Sequence, residues 1–151
     1  MYRKLGMLLA VSALATACRP MVKAPVHDTF TKVGGAEQIA ALSFGATSKV
    51  VKTRGDYGWF KVDGHAGDQI VVDVKSPNGD AVVFLLDSFD DVVGVNDDAD
   101  ALTSDARLTM ALPATGTFYI AFREYSFAPA SFTVSLDGTP APLPAGDVNA
   151  R

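Results

Sequence analysis

The sequence predicts an all-β protein: a two-sheet antiparallel β-sandwich of about eight short strands, carried behind a signal peptide. Three observations predict it. Apolar residues recur with a period of two in one segment after another; no apolar stripe of helical period persists for three turns after Gly45; and the connections are short and rich in Gly, Pro, Asp and Ser. Strands with one wet and one dry face must bury their dry faces together, which favours two packed sheets over one open sheet. At 151 residues, 48% apolar and 20% charged, the chain is one domain at most, with enough apolar matter for a core.

The first element is an address. Residues 1–17 pair a basic start, Arg3 and Lys4, with an uncharged, largely apolar run over residues 5–15 and then small residues. That run is too short to cross a hydrocarbon core of ~30 Å as a helix, which takes about twenty residues. It therefore reads as a signal peptide, not a spanning anchor. The next residue, Cys18, is the only cysteine, which excludes an internal disulfide and any Cys-rich metal site.

The stretch Leu14-Ala15-Thr16-Ala17-Cys18 resembles the lipobox of bacterial lipoproteins, with Leu14 one place further from the cysteine than the commonest pattern has it. The resemblance implies acylation of Cys18 and a bacterial lipoprotein held at the cell envelope by its lipid. Arg19, where inner-membrane lipoproteins of enteric bacteria carry Asp, favours the outer membrane. The alternative is ordinary secretion after Ala17.

Residues 18–35 read as the lipidated terminus and a flexible tether: they lack an apolar period, contain Pro20 and Pro25, and end in Gly34-Gly35. Residues 36–138 form the sandwich domain. Its opening, residues 36–42, suits either a short helix or a first strand. Residues 57–62 form an aromatic strand, and residues 63–68 a glycine-rich turn. Residues 69–75 then alternate, with Ile70, Val72 and Val74 on one face, so the pair reads as a hairpin. After the turn at residues 76–80, residues 81–86 are apolar throughout, as expected of a strand buried on both sides or central in a sheet. Three amphipathic strands follow around residues 106–112, 118–123 and 132–137. Pro140, Pro142 and Pro144 make residues 139–151 an extended tail, because proline gives a sheet no amide hydrogens.

Charge narrows the function. The whole chain carries a formal charge of -4, and residues 56–105 alone hold twelve Asp against Lys61 and Lys75. Such a balance argues against nucleic acid, whose phosphates call for an excess of Lys and Arg.

The order of turns and strands resembles the bacterial pre-peptidase C-terminal domain, a jelly-roll-like β-sandwich found on exported proteins. Four stretches carry it: the aromatic strand and Ala66-Gly67-Asp68 turn within residues 57–68; the buried strand 81–86 ending at Asp87; the corner Asn96-Asp97-Asp98; and residues 112–120 with Pro113, Gly116, Phe118 and Tyr119. Two departures stand out. Phe89-Asp90-Asp91 replaces the turn glycine expected after Asp87, and Ala130-Ser131 replaces a glycine before the last strand. The likeness spans roughly residues 36–138 and is one of strands and turns, so it bears on fold far more than on function.

Candidate chemistry is sparse. Asp97, Asp98, Asp100 and Asp105 offer hard oxygen donors of the kind Ca²⁺ takes, but neither the glycine nor the closing Glu of an EF-hand loop is present. The competing reading is that these Asp residues cap turns on an acidic rim. Calcium is thus an optional stabiliser, and no cofactor is required. His27 and His65 are too few for a zinc site. His65 with Asp63 or Asp68 supplies two members of a triad, but no Gly-x-Ser-x-Gly elbow accompanies them.

Trp59, Tyr119 and Tyr125 can form a stacking surface for a sugar or a protein if they face outward, Tyr119 best because it alternates with Phe118 and Ile120. Arg123 and Glu124 read as a surface ion pair of little value. The expected function is a non-catalytic envelope lipoprotein, a binding or accessory module for a protein or glycan partner. The alternatives are a structural lipoprotein packed in a larger assembly and, further off, a small secreted hydrolase.

Overall fold

Eight strands and no helix make up residues 40–52 and 55–142, the residues that the computed structural model describes. In chain order they are β1 (Ala46–Lys52), β2 (Gly58–Gly64), β3 (Gln69–Lys75), β4 (Ala81–Leu86), β5 (Val92–Asn96), β6 (Ala106–Ala111), β7 (Gly116–Glu124) and β8 (Ala130–Thr139). They form two four-stranded sheets, ordered β1-β8-β3-β6 and β2-β7-β4-β5, with every pairing antiparallel. This is the jelly-roll order: the chain crosses between sheets at nearly every connection, and only β4–β5 is a hairpin. The leader over residues 1–17, Cys18, the tether, residues 36–39 of the first expected element and residues 143–151 of the tail lie outside the described residues.

The period of two builds the core directly. Ile70, Val72 and Val74 of β3 and Phe132, Val134 and Leu136 of β8 face Phe60 and Val62 of β2, Val83 and Leu85 of β4, and Phe118, Ile120 and Phe122 of β7. Phe122 sits at the centre, stacked on Phe60 at 5.8 Å and edge-on to Phe132 at 5.3 Å. Gly58 makes room for that ring, because a Cβ there would overlap Phe122.

The unbroken apolar run of β4 has a physical cause. β4 lies between β7 and β5, and both of its faces are covered. Ala81, Val83 and Leu85 enter the main core; Val82, Phe84 and Leu86 join Tyr119 and Ala121 in a second apolar cluster on the outer face of the same sheet.

One local expectation changes, an open choice is decided for residues 40–42, and one strand goes beyond what the apolar pattern marked. β2 and β3 are not a hairpin: they belong to different sheets, and residues 65–68 turn the corner between them. Residues 40–42 are extended, not helical. Ala41 bridges Lys61 in parallel, and Lys61 N donates to Ala40 O while Leu42 N donates to Lys61 O, both at 2.9 Å, which covers the outer edge of β2. β1 has no clear apolar period, since its half-buried positions are Ala46, Ser48 and Val50. It forms as an edge strand because β8 offers it a full ladder from Ala46↔Leu136 to Lys52↔Ala130.

Candidate functional site

Antiparallel register collects certain connections at one end of the sandwich. β2, β4, β6 and β8 all finish there, which brings together the corner at residues 65–68, the β4–β5 tip at residues 87–91, the β6–β7 connection at residues 112–115 and residues 139–142.

The tip is strongly self-bonded. Asp87 Oδ1 accepts from Phe89 N at 2.8 Å and from Asp91 N at 3.0 Å, while Asp87 N donates to Asp91 O at 2.9 Å. Asp90 takes the left-handed conformation, φ 71°, that a glycine would have supplied; aspartate tolerates this region better than most residues. The result is a fixed turn that holds Phe89 in solvent at 83% exposure. Beside it opens a cleft of ≈ 430 Å³, walled by the tip, Val93 and residues 113–118.

A second, smaller cleft of ≈ 250 Å³ lies at the same end, lined by Phe44, Asp63, His65, Asp68, Gly138 and Pro140. Asp68 is its buried member, and its carboxylate is committed to the backbone: Oδ2 accepts from His65 N at 2.9 Å and Oδ1 from Ala141 N at 2.7 Å. The carboxylate thereby pins the chain leaving β8 to the β2–β3 corner. His65 Nδ1 stands 3.6 Å from Asp68 with its side chain half exposed, and among the described residues no serine, threonine or cysteine lines the cleft. Asp63 accepts from the Thr117 hydroxyl at 2.6 Å and lies 3.3 Å from the Lys61 ammonium. The Thr117 bond above all, helped by Lys61 and opposed by slight desolvation, holds the Asp63 carboxyl below its ordinary value.

The Asp residues expected to gather round calcium sit at the opposite end, between β5 and β6. Asp100 Oδ1 accepts from Leu102 N within its own turn, and Asp105 Oδ1 reaches across to Ser76 N at 2.9 Å. Asp97 and Asp98 follow Asn96, whose Oδ1 accepts from Asp98 N and whose amide donates to Arg107 O. Among the described residues no three His, Cys, Asp or Glu side chains converge in a way that could hold a metal ion. Of the expected donors Asp97, Asp98, Asp100 and Asp105, the carboxylates of Asp100 and Asp105 are each committed to a backbone amide of a different segment.

The expected aromatic surface is also altered. Tyr119 does point to the outer face, as its alternation with Phe118 implies, but it is buried at 5% within the second apolar cluster. Tyr57, Trp59 and Tyr125 pack half-buried against that cluster, with Trp59 opposite the inward Phe60. The outer face of this sheet is covered, so Tyr119 offers no flat ring to a sugar.

Arg123 and Glu124 are not a surface ion pair; both are buried. The Arg123 guanidinium lies 4.2 Å above the Phe127 ring and donates to the Glu124 and Tyr125 carbonyls and to the Tyr57 hydroxyl. Glu124 Oε2 accepts from Ser126 N and Ala128 N, which shapes the β7–β8 turn. Cys18, the expected lipidation residue, lies outside the described residues.

Phe89 is the residue that reading for candidate chemistry missed. Its signal was present as the departure Phe89-Asp90-Asp91 after Asp87: a large apolar side chain inside an otherwise acidic turn has no packing role that the strand pattern predicts.

Comparison with known proteins agrees with this architecture. The model of the bacterial pre-peptidase C-terminal domain family matches residues 56–123, a shorter span than the 36–138 expected. The pre-peptidase C-terminal domain of a collagenase from Bacillus anthracis has the same fold at 12% identity, with a TM-score of 0.58 over 70% of this chain and 100% of that one. PliG of Aeromonas hydrophila, a periplasmic inhibitor of g-type lysozyme, aligns at 20% identity and a TM-score of 0.46 over 66% of this chain and 97% of its own. The surface-associated copper-binding protein CorA of Methylomicrobium album BG8 aligns at 8% identity and a TM-score of 0.45, over 66% and 98%. No curated protein matches the sequence.

Proposed function

We propose that the chain is a non-catalytic binding module, tethered at the bacterial cell envelope through an acylated Cys18, and that it engages a protein partner with the end of the sandwich that carries Phe89. The observation that carries this reading is Phe89 itself. A single exposed apolar residue is ordinary on a protein surface. This one is 83% exposed on a turn fixed by bonds to one carboxylate, beside a largely apolar cleft. An aromatic anchor that is already ordered loses little conformational freedom on docking, which is what a protein hot spot requires.

The candidate chemistry supports contact over reaction. Asp68, which stands beside His65, is occupied with two backbone amides, and among the described residues that line the cleft there is no hydroxyl or thiol nucleophile. Tyr119, the ring expected to meet a sugar, is buried, and the exposed Phe89 has no polar atom to pair with sugar hydroxyls, so the reading takes a protein as the partner.

The test is a photo-cross-linking amino acid placed at position 89 in living cells, with exposed Thr109 on β6 as the control position. A discrete adduct at position 89 and none at position 109 is expected, and equal labelling at both sinks the reading. Fatty-acid labelling of the wild type against Cys18→Ser tests the anchor: label that persists in the variant removes it.

A further inference from the structure

We infer that the Phe89 end receives a cationic protein surface, and that the group it seats is an arginine side chain. This rests on the binding reading above and names the chemistry of the partner. The acidic side chains at and beside this end are Asp63, Asp68, Asp87, Asp90, Asp91 and Asp137. Among the described residues, the basic side chains on the same elements are Lys61, which pairs with Asp63, and His65, which stands against Asp68. The field at the mouth of the ≈ 430 Å³ cleft is therefore negative, and a basic partner is both steered to it and complementary to it.

The tip itself narrows the choice of cation. Phe89 presents an exposed ring, and the exposed side chain of Asp91 lies two residues on. A planar guanidinium can stack on the ring while its N–H fork reaches a carboxylate, whereas an ammonium offers a point charge and no stacking plane. The chain uses this pairing internally: Arg123 lies 4.2 Å above the Phe127 ring.

The probe is a library of random peptides displayed on phage, selected against the full chain carrying Cys18→Ser. Retained thermal melting verifies that each variant is folded. Arginine-containing peptides should be enriched. Their affinity should fall about tenfold or more in Phe89→Ala, as for an anchor residue. It should also fall in Asp91→Asn, which leaves the left-handed residue at position 90 untouched. Binding should weaken as NaCl is raised to about 0.15 M, where the screening length is ~8 Å, and arginine-to-lysine replacement in the peptide should weaken it further.

Enriched peptides that need Phe89 but are indifferent to arginine would overturn this inference and leave the binding reading standing. Peptides indifferent to Phe89→Ala, or no enrichment at all, would overturn both.

Discussion

Replacing Arg123 with Met removes a buried cation while keeping most of the side chain's length, and the structure sets the size of the effect. Arg123 is 3% exposed, and its guanidinium donates to Glu124 O at 3.0 Å, to Tyr125 O at 2.8 Å and to the Tyr57 hydroxyl at 3.3 Å. Hydrogen bonds from a charged donor contribute about 1.5–3 kcal/mol each, and a desolvated cation–π contact about 2 kcal/mol. Against these stands the desolvation of the cation, several kcal/mol, which the Met variant no longer bears. Glu124 O also retains its bond from Phe127 N, so its loss is partial. The balance is a destabilisation of about 2–4 kcal/mol, or roughly 10 °C in Tm for a domain of this size.

Urea unfolding followed by Trp59 fluorescence measures it well, because Trp59 is the only tryptophan and packs on the same outer cluster. Arg123→Lys should recover part of the loss, since it keeps the charge without the fork. A cycle with Phe127→Leu should show coupling of about 1–2 kcal/mol between the two sites. An Arg123→Met variant within about 0.5 kcal/mol of the parent would refute the reasoning, since that is the range of an inconsequential surface change.

Gly58→Ala should cost roughly 2 kcal/mol or more in urea unfolding, because its Cβ would overlap the central Phe122 ring and the core has no slack there. Asp87→Ala should lower stability by only about 1 kcal/mol, yet drop the backbone order parameter of Phe89 below about 0.6 by freeing the amides of the tip; an unchanged value would show that the turn is held by something else. Asp63 has its carboxyl held below the ordinary value in the folded state. Its contribution is therefore complete above the ordinary carboxylate pKa and disappears as pH falls through the lowered one; Thr117→Ala should flatten the acid limb of the stability curve, and an unaltered limb would contradict this. Adding a chelator or millimolar Ca²⁺ should leave Tm unchanged, since Asp100 and Asp105 are each committed to a different backbone amide; a clear rise with Ca²⁺ would mean that the acidic residues gather after all.

The alternation of apolar and polar residues is a local property, and it determined what local properties can. β3 and β4 have the boundaries expected of them, and β6, β7 and β8 lie within a few residues of theirs. It also determined which alternating side chains share the core face in β3, β6, β7 and β8, but of Trp59 and Phe60 only that one is inward; the structure turns Phe60 in and Trp59 out. The charge of the middle segment and the lone cysteine are likewise matters of sequence alone.

Which strand pairs with which is not local. A glycine-rich turn serves a hairpin and a crossing between sheets equally well, so the assignment of β2 and β3 to different layers waited on the packing of all eight strands. The same holds for β1, whose weak pattern becomes a strand only because β8 offers a ladder, and for Tyr119, whose outward direction was legible but whose burial depends on what covers that face. A run of Asp residues has the same letters whether the carboxylates converge on an ion or each caps its own turn. The register that sends residues 87–91 to one end and 97–105 to the other is a long-range outcome, and it alone put Phe89 at the rim of a cleft.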